Sequence, residues 1–445
     1  MTRRSPQKSR LRITSEFKKL THYVFRYPAK FHPPVVRALI ERYTNQRDVV
    51  LDPFVGSGTL LVEAAVLGRS SIGLDTDPVA VSVAHVKTRR YKTRLLKQSV
   101  STVLSALATE RRSEREYLDR MFTDLGPRSY ERQVKPIHDY VPPISHLFHW
   151  FRRYVIVDLA RIRCAMETVD IPESHRTLFR VVFGSIIRNC SNADPVPVSG
   201  LEVTAHMKRR DLAGRLVDPY TMLETALHRA VRACEDYGSM LPAGVSSTVM
   251  WGDATQLQNH LTGHVDAVIT SPPYHGAVDY YRRHQLEMFW LGLVRHDEDR
   301  RALLHRYVGR TDVPRSHEFV HDTTLRTAIA KRWEAKIRRS SEDRADAFKH
   351  YIVAMRHCFE GLADHMRAGS PAVLVVGHSS WNNSKIPTTE LFGEIAGSAF
   401  TLREVLWYPI KNRYMSYSRH NGADINREYV LAFYRTNRLP RRRDN

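Results

Sequence analysis

The chain has 445 residues, enough for roughly two or three domains or one large domain with insertions, and its 42% hydrophobic content is ordinary for a globular protein with a sizeable core. Its 68 Lys and Arg against 47 Asp and Glu give a net charge of +21, which favours a polyanionic partner, nucleic acid first. The four cysteines form no CxxC pair and no apolar run approaches membrane-spanning length, which excludes a disulfide framework, a zinc ribbon and a membrane span. We expect a cytoplasmic protein of bacterial or archaeal type, with no metal site and no membrane partner.

The first ninety residues alternate short apolar runs with helical patterns. Residues 1–20 predict a basic, loosely ordered arm, and residues 27–34 a turn-rich segment before helical spacing begins at Val35. Asp77 and Pro78 are typical of a helix start, as N-cap and first-turn residue. The predicted order is strand, loop, helix, strand, helix, over 49–51, 52–58, 60–65, 71–75 and from 78 onward. This order is that of the opening of a doubly wound sheet.

The alternation lapses in the middle of the chain and then returns. Residues 91–246 are long, charged and mostly helical in pattern, and a second helical stretch covers 275–368. Later strands are predicted at 248–251, 265–269, 372–377, 403–408 and 428–434, the last two as a pair. We therefore divide the chain into a basic arm (1–20), a discontinuous catalytic domain (21–90 and 247–435), a helical insertion (91–246) and a basic tail (436–445).

The glycine-rich loop from Asp52 to Gly58 follows one predicted strand and opens a helix. Its glycines permit a tight turn and close approach of backbone to a ligand. A phosphate-binding loop is disfavoured because Thr59 follows Gly58 where a lysine would be needed, and a dinucleotide loop because Leu61 replaces the third glycine. A ligand with an amino-acid head group fits better, with Asp52 accepting from its ammonium. Asp75, at the end of the next strand, is placed to accept from ribose hydroxyls.

A second motif, Ser271-Pro272-Pro273-Tyr274, follows the apolar run 265–269. Two prolines end the strand, because they fix φ and remove two N–H donors. A hydroxyl, free carbonyls and an aromatic ring then lie together at a strand's carboxyl end, where open α/β sheets bind ligands. The group suits a flat, amine-bearing substrate, although a simple Pro-rich turn anchored by Tyr274 would have the same sequence.

The two motifs together resemble those of the S-adenosylmethionine-dependent DNA amino-methyltransferases, which methylate N4 of cytosine or N6 of adenine. That family pairs a D-P-F-x-G-x-G loop with a [DNS]-P-P-[YF] turn on one sheet, as found here at 52–58 and 271–274. Residues 27–31 resemble the family's motif before the first strand, and 252–254 its short acid-bearing segment. The resemblance implies an α/β fold: a Rossmann-like seven-stranded methyltransferase sheet with a large, mostly helical insertion.

The resemblance also implies roles for individual residues. S-adenosylmethionine would be the cofactor, bound by Lys30, Phe31, Asp52, Phe54, Gly56, Gly58, Thr59, Asp75 and Asp253. Ser271 and the carbonyl of Pro272 would accept hydrogen bonds from the exocyclic amine, Pro273 would complete the turn, and Tyr274 would stack on the base. Because the base must leave the duplex, the expected partner is double-stranded DNA with a flipped target base.

Ser271 resembles the cytosine-N4 subgroup more than the adenine subgroup, where Asp or Asn is usual. The sequence therefore predicts a site-specific DNA (cytosine-N4-specific) methyltransferase. An adenine-N6 enzyme is the alternative, an RNA base methyltransferase is less favoured, and a binding protein with a degenerate methyltransferase fold is a further reading. No Pro-Cys dipeptide occurs, which argues against methylation at carbon 5 of cytosine.

The target-recognition region is the least determined part of the chain. The cofactor loop precedes the Ser-Pro-Pro-Tyr turn, which departs from the commonest order for such enzymes, so the insertion 91–246 is the best candidate and 275–368 the second. Asn192, the basic run 208–210 and the segment 280–283 are candidate DNA contacts, or else a solvated basic face and helix packing. No nuclease motif is evident, so a restriction-modification role would need a separate cognate endonuclease.

Overall fold

The computed structural model describes residues 6–14, 17–195, 200–276, 278–310, 325–378, 380–382, 384–410 and 427–437. The strands are β1 (Gln7–Arg10), β2 (Val49–Asp52), β3 (Ser70–Asp75), β4 (Ser247–Trp251), β5 (Ala267–Thr270), β6 (Pro371–Gly377), β7 (Ser380–Trp381), β8 (Ser384–Lys385), β9 (Phe400–Pro409) and β10 (Arg427–Arg435). The 3₁₀ helices are Leu20–Tyr23, Lys135–Tyr140, Ala254–Asn259, Leu304–Arg306 and Gly397–Ala399.

The α-helices fall into three groups. Those before the insertion are α1 (Pro33–Tyr43), α2 (Thr59–Val66) and α3 (Pro78–Thr88). Those of the insertion are α4 (Thr93–Ala108), α5 (Glu114–Asp119), α6 (Pro127–Val134), α7 (Leu147–Trp150), α8 (Arg153–Thr168), α9 (Glu173–Cys190), α10 (Ala205–Leu212) and α11 (Pro219–Met240). Those after it are α12 (Tyr280–Arg283), α13 (Gln285–Trp290), α14 (Asp297–Ala302), α15 (Ala328–Arg338), α16 (Glu342–Asp364) and α17 (Thr388–Ile395).

Within the described residues, eight strands form one sheet in the order β1-β9-β10-β6-β5-β2-β3-β4. Strand β10 runs antiparallel to both β6 and β9, and the other described neighbours pair in parallel. The chain proceeds outward from β2 through β3 to β4, then returns to β5 on the other side of β2. The topological switch point therefore lies between the neighbouring strands β2 and β5. Open sheets of this kind bind ligands in the crevice at the carboxyl ends of such strands.

Alternate residues of the central strands bury their side chains on opposite faces of the sheet, as the two-residue period requires. Val268 and Leu374 pack on one face in the cluster that contains α15, α16 and α17. Ile269 and Val373 pack on the other face with α1 and α2. Strands covered on both faces need continuous apolar sequence, which is the pattern that predicted them.

The helical insertion shares a hydrophobic core with the rest of the domain. One buried cluster joins its helices to Val83 of α3 and Trp290 of α13. Trp290 is fully buried and packs edge-on against Phe151 and Phe183. The insertion is thus anchored beside the carboxyl edge of the sheet by the helices that follow β3 and β5.

The sheet has one strand more than the seven expected, and the extra strand lies in the segment expected to be a loosely ordered arm. Strand β1 pairs in parallel with β9, and the N–H of Leu11 donates to the Trp407 carbonyl at 2.9 Å. The expectation was wrong for this segment because pairing satisfies an otherwise open sheet edge while the charged side chains of Lys8 and Arg10 stay in solvent.

The structure also bears on the basic tail, on membrane-spanning helices and on clusters of metal-ligating residues. Most of the basic tail, from residue 438 onward, lies outside the described residues. The part of the chain that is described contains no helix long and apolar enough to cross a membrane. In the same part, no group of three or more His, Cys, Asp or Glu is arranged to hold a metal ion, and its four cysteines are free.

Candidate functional site

A cavity of about 1180 Å³ lies at the carboxyl edge of the sheet, across the switch point. It is lined by segments that are far apart in sequence: the turn before α1, the ends of β2, β3, β4 and β5, and the start of β10. The predicted site residues that line it are Lys30, Phe31, Asp52, Phe54, Gly56, Thr59, Asp75, Asp253, Ser271, Pro272, Pro273 and Tyr274. The fold therefore gathers both motifs around one cavity.

Gly58 does not line the cavity. Gly58 is the N-cap residue of α2 and has a φ of +73°. A Cβ atom on Gly58 would lie 2.9 Å from the Ala84 Cβ of α3. Gly56, with φ of +48°, does line the cavity and turns its N–H toward Asp75. The two glycines thus serve different ends: Gly56 shapes the loop and Gly58 permits two helices to pack closely.

Asp52 joins the ends of the two strands that flank the switch point. Its Oδ1 accepts from the Thr270 hydroxyl at 2.6 Å and from the Phe54 N–H at 3.1 Å. Burial, the largest cause, raises the pKa of Asp52 to about 7, against the two hydrogen bonds that lower it. The residue expected to meet a ligand's ammonium therefore also fastens the glycine-rich loop to β5.

Asp75 holds the loop from the neighbouring strand. Its carboxylate accepts from the Gly56 N–H at 2.8 Å and from the Asp77 N–H at 2.9 Å, one bond on each oxygen. Burial, followed by the nearby Asp77, raises the pKa of Asp75 to about 7. Asp77 caps α3 by accepting from the Val79 N–H, as predicted, and its other oxygen bonds His284 Nδ1 at 2.6 Å.

Asp253 and Lys30, two further predicted cofactor residues, also line the cavity. Asp253 follows β4 and accepts from both the N–H and the hydroxyl of Thr255 at 2.8 Å. Lys30 donates to the His22 carbonyl at 3.0 Å and lies 3.8 Å from the centre of the Tyr23 ring. Burial lowers the pKa of Lys30 to about 8. Both side chains are half-buried, so each keeps a polar surface toward the cavity.

The Ser-Pro-Pro-Tyr turn is fastened to two later strands. The Ser271 hydroxyl donates to the Val375 carbonyl of β6 at 3.3 Å, and the Tyr274 hydroxyl donates to Glu428 of β10 at 2.7 Å. Burial, then the Glu428 charge, raises the pKa of Tyr274 well above its usual value. Since the Ser271 proton is directed to a carbonyl, its oxygen lone pairs remain available to accept from a ligand in the cavity.

Several polar groups of the cavity have no partner among the described residues. The hydroxyls of Ser57, Thr59 and Thr76 line the cavity or its loop, are buried, and make no hydrogen bond there. Buried polar atoms are nearly always paired, so such a group of unpaired hydroxyls indicates a polar ligand. A cavity of about 1180 Å³ also exceeds the range of about 300–1,000 Å³ that holds one small molecule, and has room for a cofactor and a second ring.

The candidate DNA contacts of the sequence separate into half-buried residues with contacts inside the protein and exposed residues. Asn192 donates to the His149 carbonyl and accepts from Arg215, which is a structural role. Residues 208–210 are exposed on α10. Tyr280 lines the cavity and stacks on Tyr27 with ring centres 5.6 Å apart, so it belongs to the site's wall.

Some residues that line the cavity could not be predicted from the sequence. Tyr307 is 6% exposed, has an unpaired hydroxyl among the described residues, and lies near Asp75 and Asp77. Tyr408 and Glu428 come from the two late strands, more than a hundred residues from the turn they meet. None of these residues stands in a local motif, and only the sheet order could have placed them.

Charge divides the cavity into a floor and a rim. The carboxylates Asp52, Asp75, Asp77, Asp253 and Glu428 line its floor. Exposed arginines line it from the N-terminal segment, the insertion and the segment after β5: Arg10, Arg26, Arg229 and Arg306. Such a rim attracts polyanions, and such a floor suits a cationic or amine-bearing ligand.

Comparisons with known proteins agree with this arrangement. Residues 3–86 match the model of the N6_N4_Mtase family, described as DNA methylase. The chain is 24% identical over 410 residues to the type II methyltransferase M.MvaI of Kocuria varians, covering 86% of this chain and 82% of that protein. The type II methyltransferase M.MjaII of Methanocaldococcus jannaschii is 37% identical over 87 residues, 20% of this chain and 16% of its own length.

A third relative, the type II methyltransferase M.BsoBI of Geobacillus stearothermophilus, is 25% identical over 61% of this chain and 53% of that protein. The chain thus spans most of one of these relatives but only about half, or less, of the other two. The region that the family model matches contains the glycine-rich loop, which here lines the cavity beside the Ser-Pro-Pro-Tyr turn. The chain is thus similar to the N6_N4_Mtase family of DNA methylases over residues 3–86, and to type II methyltransferases over more of its length.

Proposed function

We propose that this protein transfers a methyl group from S-adenosylmethionine to the exocyclic N4 of cytosine at a specific site in DNA. The observation that carries the proposal is the bond between Thr270 and Asp52, which holds the Ser-Pro-Pro-Tyr turn and the glycine-rich loop together in one cavity. A methyl donor on the loop and an amine on the turn would then be neighbours. Because direct transfer needs close approach and alignment, such placement supplies much of the rate.

The floor of the cavity is the proposed cofactor site. S-adenosylmethionine supplies a methyl group on a cationic sulfonium when it is bound. The Asp52 carboxylate and the loop carbonyls would accept from its ammonium, Asp75 would meet the ribose, and Asp253 would meet the adenine amine. Phe54, Phe31 and the side chain of Lys30 would cover it. The unpaired hydroxyls of Ser57, Thr59 and Thr76 add donors for its carboxylate and ribose oxygens.

The turn is the proposed target-base site. The lone pair of an exocyclic amine is conjugated into the ring, which makes the amine a poor nucleophile. Hydrogen bonds from the amine to Ser271 Oγ and to the Pro272 carbonyl would draw its protons out of the ring plane and restore the lone pair. Tyr274 would stack on the base, and the amine proton leaves to solvent after transfer. No covalent nucleophile is needed.

Double-stranded DNA is the proposed substrate. Stacking on Tyr274 requires the base to leave the duplex, and the exposed arginines of the rim would contact the phosphates on either side. We propose the helical insertion as the target-recognition region, since it flanks the rim and contributes Arg229 to it. We also propose that a separate cognate endonuclease acts with the protein in a restriction-modification system.

The proposal of cytosine rests on Ser271 in the first position of the turn. Adenine-N6 methylation is the second candidate, since the same acceptors would serve either amine. Nucleoside analysis of DNA from cells that express the protein separates the two. N4-methylcytosine supports the proposal, N6-methyladenine replaces it with the second candidate, and the absence of both overturns a DNA substrate. DNA from cells expressing the empty vector is the control, and RNA from the same cells tests the remaining alternative.

Cofactor affinity should depend on pH near neutrality. Asp52 and Asp75 have pKa values of about 7 in the protein without ligand, and a cationic ligand beside them lowers those values. Below about pH 7 a proton must leave before the ligand binds well, so we expect the Kd to rise about tenfold per group from pH 8 to pH 6. Calorimetry in two buffers of different ionisation enthalpy would measure the released protons, and a flat Kd over this range would contradict the prediction.

The stability of the ligand-free protein should change in the opposite sense. Each carboxyl has a folded-state pKa above its usual value of 3.8, so ionising it costs the folded state free energy. We therefore expect the unfolding midpoint to fall as pH rises from about 4 to about 7 through these groups. Thermal melts with and without ligand across this range would display the two opposite trends.

A further inference from the structure

Glu428 stands at the start of β10 and faces the cavity, outside both motifs. Since β10 runs antiparallel to β6, its first residues lie at the carboxyl edge of the sheet, level with the Ser-Pro-Pro-Tyr turn. Glu428 pairs across strands with Tyr408 of β9 and with Gly377 of β6. It is thus the carboxylate of the cavity floor that lies on the side of the proposed base site.

Two tyrosine hydroxyls donate to this carboxylate, one to each oxygen. The Tyr274 hydroxyl donates to Oε1 at 2.7 Å, and the Tyr408 hydroxyl donates to Oε2 at 2.5 Å. Tyr408 is 4% exposed, and burial with the Glu428 charge raises its pKa well above its usual value. Hydrogen bonds to a charged acceptor are about twice as strong as neutral ones, so the arrangement holds both phenols firmly.

The bonds reach across β6, which separates β5 from β10. The turn after β5 is fastened to β6 through Ser271 and to β10 through Tyr274. A hydrogen bond at the para oxygen restricts the χ1 torsion of Tyr274, because moving the ring would move that oxygen away from its acceptor. A ring held this way does not have to be ordered when a base stacks on it, which lowers the cost of binding.

We propose that Glu428 is a positioning residue of the target-base site, holding the ring of Tyr274 as a fixed platform for the base. This inference rests on the proposed function. The carboxylate offers a charged acceptor oxygen to each phenol. An amide offers one neutral oxygen, and its N–H₂ group only donates, so one phenol must turn from donor to acceptor and both bonds weaken. Tyr408 acts through Glu428, keeping the carboxylate in place for Tyr274.

The test compares Glu428→Gln, Tyr274→Phe and their double variant in transfer of radiolabelled methyl groups to unmethylated genomic DNA. Glu404→Gln is a matched control, since Glu404 accepts from the Tyr43 hydroxyl at the same 2.7 Å on β9 but does not line the cavity. We expect kcat to fall about tenfold in Glu428→Gln and in Tyr274→Phe, and the double variant to be no slower than the worse single variant. The KM for DNA, and the affinity and stoichiometry for S-adenosylhomocysteine, should stay within twofold of wild type.

Each outcome decides between defined alternatives. A Glu428→Gln protein with wild-type kcat, or two single effects that multiply in the double variant, overturns the positioning role and leaves the proposed function intact. If the Glu428→Gln protein binds less than the wild-type stoichiometry of S-adenosylhomocysteine, or if Glu404→Gln loses as much kcat, the Glu428 hydrogen bonds serve general stability. Either result also overturns the positioning role. If the wild-type protein transfers no methyl group to DNA, the proposed function and this inference fail together.

Discussion

We expect a protein carrying both Ser271→Ala and Tyr274→Ala to transfer methyl groups about a thousandfold more slowly than wild type. Stacking of a base on an aromatic side chain contributes about 1–3 kcal/mol, and loss of a positioned hydrogen-bonding group costs about 3–4 kcal/mol in other enzymes. A combined loss of about 4 kcal/mol corresponds to about a thousandfold. Neither side chain belongs to the proposed cofactor site, so calorimetry should find S-adenosylmethionine binding unchanged.

Tyr429→Ala is the control for loss of a ring near the same sheet edge. Tyr429 is half-buried on β10, one residue from Glu428, and contacts His378 in a tilted arrangement with ring centres 4.4 Å apart, outside the cavity. It should keep its transfer rate within a few fold. If the double variant methylates at the wild-type rate, the turn is not the target-base site, whatever the family resemblance implies.

The central part of the fold could be predicted because its signals are local. Val49 to Asp52 and Pro371 to Gly377 are apolar runs that end at turn residues, and a strand covered on both faces requires such a run. Asp77 marked the start of α3 by its side chain alone. The order of strands and helices along the chain then indicated a doubly wound sheet.

What the sequence did not predict depends on contacts between distant segments. Strand β1 is mostly polar, and only the open edge of β9 gives it a partner. The bond from Tyr274 to Glu428 spans 154 residues, and neither side chain indicates the other. The close approach of Gly58 to Ala84 could not be predicted for a similar reason, since Ala84 lies on a different helix.

The candidate site could be predicted from the sequence only in part. The residues of the loop and the turn were named from motifs, and the fold gathers all of them but Gly58 around one cavity. The motifs did not reveal that Asp52 and Asp75 already accept hydrogen bonds within the protein. Both carboxylates therefore stabilise the glycine-rich loop before any ligand arrives, and their replacement should affect loop and ligand together.

Asp75→Asn should weaken S-adenosylmethionine binding about thirtyfold or more. Each oxygen of Asp75 accepts a backbone N–H, from Gly56 and from Asp77, and an asparagine can replace only one of these acceptors. Its amide group would face the second N–H, so the loop must move away from the geometry that holds the ligand. Loss of a hydrogen bond to a charged group costs about 2 kcal/mol, which equals about thirtyfold in Kd.

The same substitution distinguishes an effect on ligand binding by the loop from an effect on the stability of the whole fold. Asn carries no charge into a buried site, so the relieved desolvation cost offsets the lost bond, and we expect the unfolding midpoint to change little. The pH dependence of the Kd should become shallower because one of the two groups that titrate near pH 7 is gone. Asp266→Asn is the matched control: Asp266 accepts from the Val49 N–H at 2.8 Å, at the opposite edge of the sheet, and its loss should leave the Kd unchanged. Equal Kd values for Asp75→Asn and wild type would remove Asp75 from the cofactor site and leave the loop's hydrogen bonds without a role in binding.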